Sequence, residues 1–459
     1  MVIAAGCAGS GAAGVQSTAS ADWTRFGYDA SRSSDNPNAT GIDTTNVASL
    51  VQQQVQLPGT VDSSAVYLKG VTVEGSAHDT LFVTTSYGIT LAIDARTGAI
   101  LWEYTPSSYA SVAGSPRITT ASPVADPGRK WIYAASPDGK IQKLSVADGS
   151  VAWRVRISKL PIREKISSSL NFAGGHVIAT TAGFEDKAPY QGHVAVISPG
   201  GRLLYVWNAL CSDHTRLLVP SSCPASDAGI WGRGVVVAIP GSGDLLVATG
   251  NAPWDGDTNW GDAVVELSST AKLIGNYTPT NTARLYNADL DLGSASPVYL
   301  TPNLIALGGK DTKIRLLSLA RLEGTAPHKG GELQVVSTPS KSKLYAAPAV
   351  WRASRTWLIA ADAGATQAWV LHKGRLVPKW SQPNAGTSPM IAGGLLYVYD
   401  PTGCGLRVYA PASGVPIATL PAGSGHWNSP IATDGFVALA EGNANAHLTS
   451  GVLNIWRLP

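Results

Sequence analysis

Two stretches of the sequence decide the fold: LFVTTSYGITLAIDARTGAILWEY at residues 81–104 and IYAASPDGKIQKLSVADGSVAWRV at residues 132–155. They superpose without a gap at an offset of 51 residues, so that Gly88 falls on Gly139 and Trp102 on Trp153. In each stretch, alternating apolar segments are separated by glycine turns. This pattern predicts a unit of short antiparallel strands joined by tight turns.

Such a unit is too small to bury both faces of its sheet, so copies of it are expected to stack around an axis as a β-propeller. Weaker copies of the unit continue to the end of the chain. Each blade should open at the axis, where only small residues fit without crowding. The eight candidate openings are Ser64-Ala65, Ser115-Pro116, Ser168-Ser169, Trp231-Gly232, Ser296-Pro297, Ala347-Pro348, Ser388-Pro389 and Ser429-Pro430. The sequence therefore predicts an all-β, eight-bladed propeller.

Closure of the ring needs one more strand, because the last unit ends at Trp456 without an outer strand. Residues 50–57 alternate like a strand but precede the first unit. We expect them to supply the outermost strand of the final blade, since an open ring would expose two sheet edges. Residues 22–459 are thus expected to form one domain, and residues 1–21 a signal remnant or flexible tether.

Composition narrows the possible partners. The 34 basic and 31 acidic residues give a net charge of +3 and are scattered along the chain. No basic run is long enough to follow a phosphate backbone, so nucleic acid is not expected as a partner. The sequence contains no stretch of 18 apolar residues, so no membrane-spanning helix is expected.

The cysteines indicate the kind of cellular compartment in which the protein resides. Small residues around Cys7 are similar to the end of a bacterial lipoprotein signal, which predicts export and leaves open either lipidation of Cys7 or a plain Ala/Gly-rich terminus. Cys211 and Cys223 could pair in an oxidising compartment. The fourth cysteine is Cys404.

The blade pattern ending in ARTGAILW at residues 95–102 resembles the tryptophan-docking repeat of quinoprotein alcohol dehydrogenases. The resemblance covers essentially the whole chain after Asp22. The repeat is shared by outer-membrane assembly scaffold lipoproteins, which are not enzymes. The fold therefore leaves both an enzyme and a scaffold open.

The resemblance to the dehydrogenases implies a central site for pyrroloquinoline quinone and Ca²⁺. In that family the quinone lies on a tryptophan floor, and GIWG at residues 229–232 resembles this motif, with Trp231 under the ring system. The segment ATGNAPW at residues 248–254 resembles the one that carries a calcium-ligand Asn, here Asn251. Glu185 falls where the family places its ligand Glu. A hard cation prefers such oxygen ligands.

Two further residues complete the implied site. DLDLGS at residues 289–294 resembles the segment of the catalytic Asp, and we favour Asp291 over Asp289 as general base and metal ligand. Lys310, in GGKD at residues 308–311, falls where a lysine contacts the quinone oxygens. A carboxylate in this place takes the proton of the alcohol, and Ca²⁺ polarises the quinone carbonyl.

The chain departs from the dehydrogenases in two ways. It has no adjacent cysteine pair to form a ring over the cofactor, and it has no Cys-x-x-Cys-His motif for haem. Electrons would have to pass to a separate acceptor. Three hypotheses follow: a dehydrogenase of alcohols or sugars, a non-catalytic scaffold that binds a protein or envelope component, or a degenerate site that binds a small ligand without turnover.

Structural interpretations compete with each site assignment. Trp231 could be a packed aromatic, and Lys310 a solvated charge. Polar residues of the segment 425–445 could line a pocket, or they could form hydrogen bonds with the backbone of the turns. Four further residues have a spacing similar to that of an EF-hand calcium loop, although Trp260 stands where such a loop needs glycine. The four residues are Asp255, Asp257, Asn259 and Glu266.

Overall fold

The computed structural model describes residues 21–459, which form eight blades around one axis. Every blade has four antiparallel strands, counted from the axis outward. The strands of blades 1–4 are Val66–Val73, Ser76–Thr84, Thr90–Asp94 and Ile100–Tyr104; Val124–Ala125, Trp131–Ser136, Lys140–Ser145 and Val151–Arg156; Asn171–Ala173, His176–Thr180, His193–Ile197 and Leu203–Asn208; and Val237–Ala238, Leu245–Ala248, Val264–Leu267 and Leu273–Tyr277.

Blades 5–8 repeat the arrangement. Their strands are Val298–Thr301, Leu304–Gly308, Lys313–Ser318 and Gln334–Ser337; Ala349–Arg352, Thr356–Ala361, Thr366–His372 and Arg375–Gln382; Met390–Ala392, Leu395–Asp400, Gly405–Tyr409 and Pro416–Leu420; and Ile431–Thr433, Phe436–Glu441, Gly451–Arg457 and Val51–Leu57. Asp35–Asn36 adds a parallel strand to blade 7, and Glu164–Lys165 pairs with Ala182–Gly183. The helical turns are Tyr109–Val112, Thr282–Asn287, Val47–Ser49, Pro220–Ser222, Leu292–Ser294, Leu319–Arg321 and Ala444–Ala446.

The repeated tryptophan joins neighbouring blades where it occurs. The indole N–H of Trp102 donates to the carbonyl of Val146 at 2.9 Å, across the boundary between blades 1 and 2. A Cβ on Gly149 would lie 2.8 Å from the Trp102 ring, so only glycine lets the indole seat on that turn. Trp153 makes the same contact with Gly201. The Trp of one blade therefore packs against the Gly turn of the next blade.

The ring closes as the sequence predicted. Val51–Leu57 is the outermost strand of blade 8 and pairs antiparallel with Gly451–Arg457 over its whole length. Val51–Leu57 and the last strand of the chain thus share one sheet, which leaves no blade without its outer strand. The prediction of an eight-bladed ring closed by an N-terminal strand is confirmed.

Two of the eight predicted blade openings were wrong. Blade 2 opens at Ser122-Pro123 and not at Ser115-Pro116, which ends a helical turn in the preceding loop. Ser-Pro occurs twice in that region, and only tertiary packing distinguishes the two: the Ser122 hydroxyl oxygen accepts the Ser64 N–H of the neighbouring blade 1 at 2.9 Å. Blade 4 opens at Val237. Trp231 lies before it in a cavity, because an indole is too large for the axis itself.

The N-terminal segment, residues 22–40, crosses one end of the axis. Its backbone bonds to the inner strand of blade after blade, for example from the Ala125 N–H to the Thr24 carbonyl and from the Val350 N–H to the Ser33 carbonyl. The buried guanidinium of Arg32 donates to three carbonyls, those of Phe26, Ser169 and Leu170. This segment seals the lower end of the axis.

Outside the blades, a disulfide joins Cys211 to Cys223, as the sequence allowed, and Cys404 is a free, exposed thiol. None of the helices within residues 21–459 has the length and apolar character needed to cross a membrane. The predicted tether and Cys7 lie outside the described residues.

Candidate functional site

The loops that precede the inner strands form the upper end of the axis, where a cavity of about 440 Å³ opens. Four of the five predicted site residues line it: Glu185, Trp231, Asp291 and Lys310. Asn251 is not in the lining, but its backbone N–H donates to the Asp291 carboxylate at 2.7 Å. The fold thus brings residues from several blades to one place.

A buried ion pair lies at the centre of this cavity. The ammonium of Lys310 contacts the Asp291 carboxylate and donates to Asp289 at 2.9 Å. It also lies 5.5 Å from the centre of the Trp231 ring. Burial by itself would lower the pKa of Lys310, but the two carboxylates outweigh burial and raise that pKa. Lys310 is therefore charged at neutral pH.

Local backbone geometry positions Asp291. A Cβ at position 250 would come within 2.4 Å of the carboxylate, so glycine is required there. The Lys310 N–H donates to the Asp291 carbonyl at 3.0 Å, which ties the two partners together through the backbone as well. Burial raises the pKa of Asp291, although Lys310 opposes the shift. A carboxyl group of this kind can accept a proton from a bound hydroxyl group.

A second carboxyl group, Asp262, lies behind this pair. It is fully buried, and its Oδ1 accepts the Leu292 N–H at 2.9 Å. Its Oδ2 has no hydrogen-bond partner within residues 21–459. Burial, together with the charges of Asp291 and Asp311, raises the pKa of Asp262 to about 8. It is therefore predominantly neutral at pH 7.

Glu185 lies at the rim of the cavity. Its side chain is 44% exposed, and its carboxylate accepts from the Lys187 ammonium at 2.5 Å. That hydrogen bond lowers the pKa of Glu185. The backbone of Glu185 has φ +49°, which directs a turn over the cavity mouth. Its carboxylate is thus engaged with a surface lysine.

Three aromatic rings gather beside the ion pair. Trp231 stacks on Trp427 at 5.7 Å between centroids, and Tyr345 lies within 6.1 Å of both. Trp427 comes from the segment 425–445, which the sequence left open between pocket and turn. The structure shows both roles there, because Asn443 caps a helical turn while Trp427 lines the cavity. No sequence pattern singled out Tyr345.

A buried charge network supports these rings. The carboxylate of Asp62 accepts from Arg233 at 2.9 Å, from the His426 Nδ1 at 2.7 Å and from two backbone N–H groups. Asp62 and Arg233 are both buried, and the guanidinium lies 4.9 Å from the Trp427 ring. The sequence analysis missed this network. Asp62 and His426 are separated by most of the chain, so no local spacing could reveal it.

Lys165 is a second cation of the cavity wall. Among the described residues, no hydrogen bond or ion pair holds its ammonium group. Burial, with the charge of Arg233 adding to it, lowers the pKa of Lys165. Its ammonium group is therefore available to a hydrogen-bond acceptor of a ligand, in a wall that Glu185, Asp186 and Asp291 also line.

Calcium fits the present arrangement poorly. Across the part of the chain that the structure describes, no three His, Cys, Asp or Glu side chains are grouped as they would be to hold a metal ion. Glu185 is paired with Lys187, and Asp291 with Lys310. The segment with the EF-hand spacing is not a metal-binding loop either. The Asp255 carboxylate accepts hydrogen bonds from backbone N–H groups of its own turn, and Glu266 lies in a strand of blade 4.

A planar quinone fits better. The cavity offers aromatic faces at Trp231 and Tyr345 and cations at Lys165 and Lys310, beside a buried carboxylate. These groups suit a flat, anionic ring system.

The fold is similar to solved structures of both functional kinds. The quinohemoprotein alcohol dehydrogenase of Comamonas testosteroni is 16% identical, with a TM-score of 0.68 over 95% of this chain and 81% of that one. A europium-containing methanol dehydrogenase is 14% identical, with a TM-score of 0.67 over 95% and 98%. BamB of Moraxella catarrhalis is 14% identical, with a TM-score of 0.54 over 89% and 100%. At such identities the likeness shows the fold alone.

The sequence itself was compared with families and with curated proteins. No curated protein matches the chain. Residues 49–294, which are 246 of the 459, match the family described as outer membrane protein assembly factor BamB. The chain therefore belongs to this family of PQQ-repeat propellers, a fold it shares with the quinone-dependent alcohol dehydrogenases.

Proposed function

We propose that this chain is an exported quinoprotein dehydrogenase of alcohols or sugars whose central cavity binds pyrroloquinoline quinone. The observation that carries the proposal is the buried pair of Lys310 and Asp291 beside Trp231, in one axial cavity. Export and a lipid anchor at Cys7 belong to the same proposal.

Each residue has a role in this proposal. When bound, the quinone supplies a two-electron acceptor. Trp231 packs against the face of the ring system, and Lys310 donates to its oxygens. Asp291 accepts the proton of the substrate hydroxyl group, and its backbone partner Asn251 holds that carboxylate in place. A separate acceptor would be needed to take up the electrons.

The predicted calcium site requires a rearrangement. Glu185 would have to exchange Lys187 for the cation, and Asn251 would have to turn its side chain into the cavity. Since the donors are not gathered, no step of the reaction is derived through Ca²⁺.

A quinone titration tests the proposal. We expect the quinone to quench the tryptophan fluorescence of the protein at micromolar concentration. Lys310→Met should weaken binding at least about tenfold, since it removes a charged hydrogen-bond donor worth about 1.5–3 kcal/mol. Lys341→Met, at an exposed position, is the control. The titration is repeated with Ca²⁺ and with a chelator, followed by dye reduction with alcohols and sugars.

A non-catalytic scaffold is the second candidate function. It is favoured by the family match, since the family is described by an assembly factor. A protein that binds no quinone at micromolar concentration, with or without Ca²⁺, would support the scaffold and overturn the dehydrogenase.

A further inference from the structure

The central cavity contains two lysines whose surroundings differ. Lys310 contacts the Asp291 carboxylate and donates to Asp289 at 2.9 Å. Lys165 lines the same cavity and comes from the short strand Glu164–Lys165, which precedes blade 3. Both amines therefore face one space, but among residues 21–459 only that of Lys310 is held by carboxylates.

The strand that carries Lys165 directs its side chain into the cavity. Lys165 lies opposite Ala182 in the antiparallel pair with Ala182–Gly183, and these two residues line the cavity as well. Successive residues of a strand face opposite sides. The preceding residue, Glu164, is fully buried, and its carboxylate accepts from the Ser158 hydroxyl group at 2.6 Å. The Lys165 nitrogen, by contrast, is accessible from the cavity.

Four charged groups act on Lys165, and each of them is engaged elsewhere. They are Arg233, Asp62, Glu185 and Asp186. The first two form a buried pair of their own at 2.9 Å. Glu185 accepts from Lys187 at 2.5 Å, and Asp186 accepts from the Tyr190 hydroxyl group at 3.1 Å. In the described part of the chain, none of the four lies within hydrogen-bonding distance of the Lys165 nitrogen.

A lysine in such surroundings loses its proton more readily than an exposed lysine. Burial lowers the pKa of Lys165 and the charge of Arg233 lowers it further, while the carboxylates oppose this shift without cancelling it. The pKa of Lys310 moves the other way, because Asp291 and Asp289 raise it. A desolvated lysine beside another cation is a usual source of a nucleophilic amine in proteins.

We propose that Lys165 is a covalent binding site for small aldehydes, with which its free amine forms an imine inside the central cavity. The nitrogen lone pair forms the new bond to the carbonyl carbon. The two amine protons leave with the carbonyl oxygen as water, so no oxidant or reductant is consumed. The cavity of about 440 Å³ has ample room for a two-carbon aldehyde. The proposal goes beyond the quinone site, because it needs neither quinone nor turnover.

Reductive trapping with acetaldehyde tests the proposal. The full chain is treated with acetaldehyde and sodium cyanoborohydride, which reduces an imine to a stable secondary amine, and peptide mapping by mass spectrometry measures the label at each lysine. At pH 7 we expect Lys165 to be labelled at least about fivefold faster than Lys310 and the exposed Lys341, because a lowered pKa leaves more free amine. The ratio to Lys341 should fall as the pH approaches the ordinary pKa of lysine, about 10.4.

Unfolding and substitution supply the controls. In guanidinium chloride the ratio should approach one, since the difference between the two lysines depends on the fold. Lys165→Arg keeps the positive charge but has no amine that forms an imine, so it should lose the fast label at an unchanged melting temperature. Lys341→Arg, the matched control, should retain that label.

Two results would overturn the proposal. One is labelling of Lys165 no faster than that of Lys341 in the folded protein, and the other is a ratio that persists after unfolding. Failure of quinone binding would leave the proposal standing.

Discussion

The two ends of the propeller axis are built on opposite principles. At the lower end, the N-terminal segment bonds to successive inner strands, and the buried Arg32 guanidinium has three carbonyl partners. At the upper end, a cavity of about 440 Å³ stays open, and Lys165 in its wall has no counter-ion in contact among the described residues.

The difference indicates where stability and ligand binding reside. A desolvated charge without a counter-ion is costly, and a cavity that keeps one is a place where a ligand can compensate it. We therefore expect changes at the lower end to cost stability, whereas removal of the unpaired Lys165 ammonium from the upper cavity wall should cost little or even stabilise the protein. The following predictions test that contrast.

Deleting residues 22–57 removes both the lower seal and the outer strand of blade 8. We expect the loss of cooperative unfolding, because blade 8 would lose a fully paired strand and the ring would open. Thermal and urea unfolding measure this. Val51→Thr, at an exposed position of the same strand, should unfold as the wild type does. An unchanged melting temperature after the deletion would contradict the role of closure.

Asp262→Asn should change how stability depends on pH. The carboxyl group ionises near 3.8 when unfolded and near 8 when folded, so the unfolded state loses its proton first as pH rises. The free energy of unfolding of the wild type should thus fall between pH 4 and 8 and level off above. The contribution is at most about 4 kcal/mol between pH 5 and 8.

Urea unfolding at pH 5 and pH 8 measures the effect. The asparagine variant should lose less stability over this range than the wild type. An identical pH dependence in both proteins would show that Asp262 is ionised in the folded state at pH 5.

Arg32→Met should destabilise the lower end by about 3 kcal/mol, because three buried carbonyls lose a charged donor. Arg32→Lys should recover only part of this loss, since an ammonium group cannot match the guanidinium fork. Arg375→Met, at an exposed position, is the control. Equal melting temperatures for Arg32→Met and Arg375→Met would show that the seal does not depend on this residue.

Lys165→Met should have the smallest effect, within about 0.5 kcal/mol of the wild type or slightly stabilising. It removes a desolvated cation that no contact compensates. Lys310→Met is the matched comparison, since it leaves the buried Asp291 carboxylate unpaired and should cost about 3 kcal/mol. If the two variants lost equal stability in urea, Lys165 would have a structural partner.

Much of the fold could be predicted from local signals. The spacing of Gly98 and Trp102 recurs in the next blade because Trp153 and Gly201 repeat the contact that Trp102 makes with Gly149. The alternation of residues 51–57 and the missing last strand were enough to predict closure. The blade 2 opening was misplaced because two Ser-Pro pairs look alike until their packing is known.

The candidate site was predictable only in part. Residues near glycine-rich turns, such as Trp231 and Lys310, could be placed from motifs that follow the chain. Tyr345 carries no such signal, and its partners come from other blades. The pairing of Glu185 with Lys187, rather than with a cation, depends on side-chain directions at the cavity rim.

The sequence by itself determined the number of blades, the contact that joins them and the strand that closes the ring, since these features depend on residue patterns that repeat within about fifty positions. Only the tertiary structure decided what lies on the axis. The Asp62–His426 contact joins residues 364 positions apart, and the central cavity is formed by loops from different blades. Burial and charge compensation at such places are properties of the assembled ring, because they depend on which loops meet there.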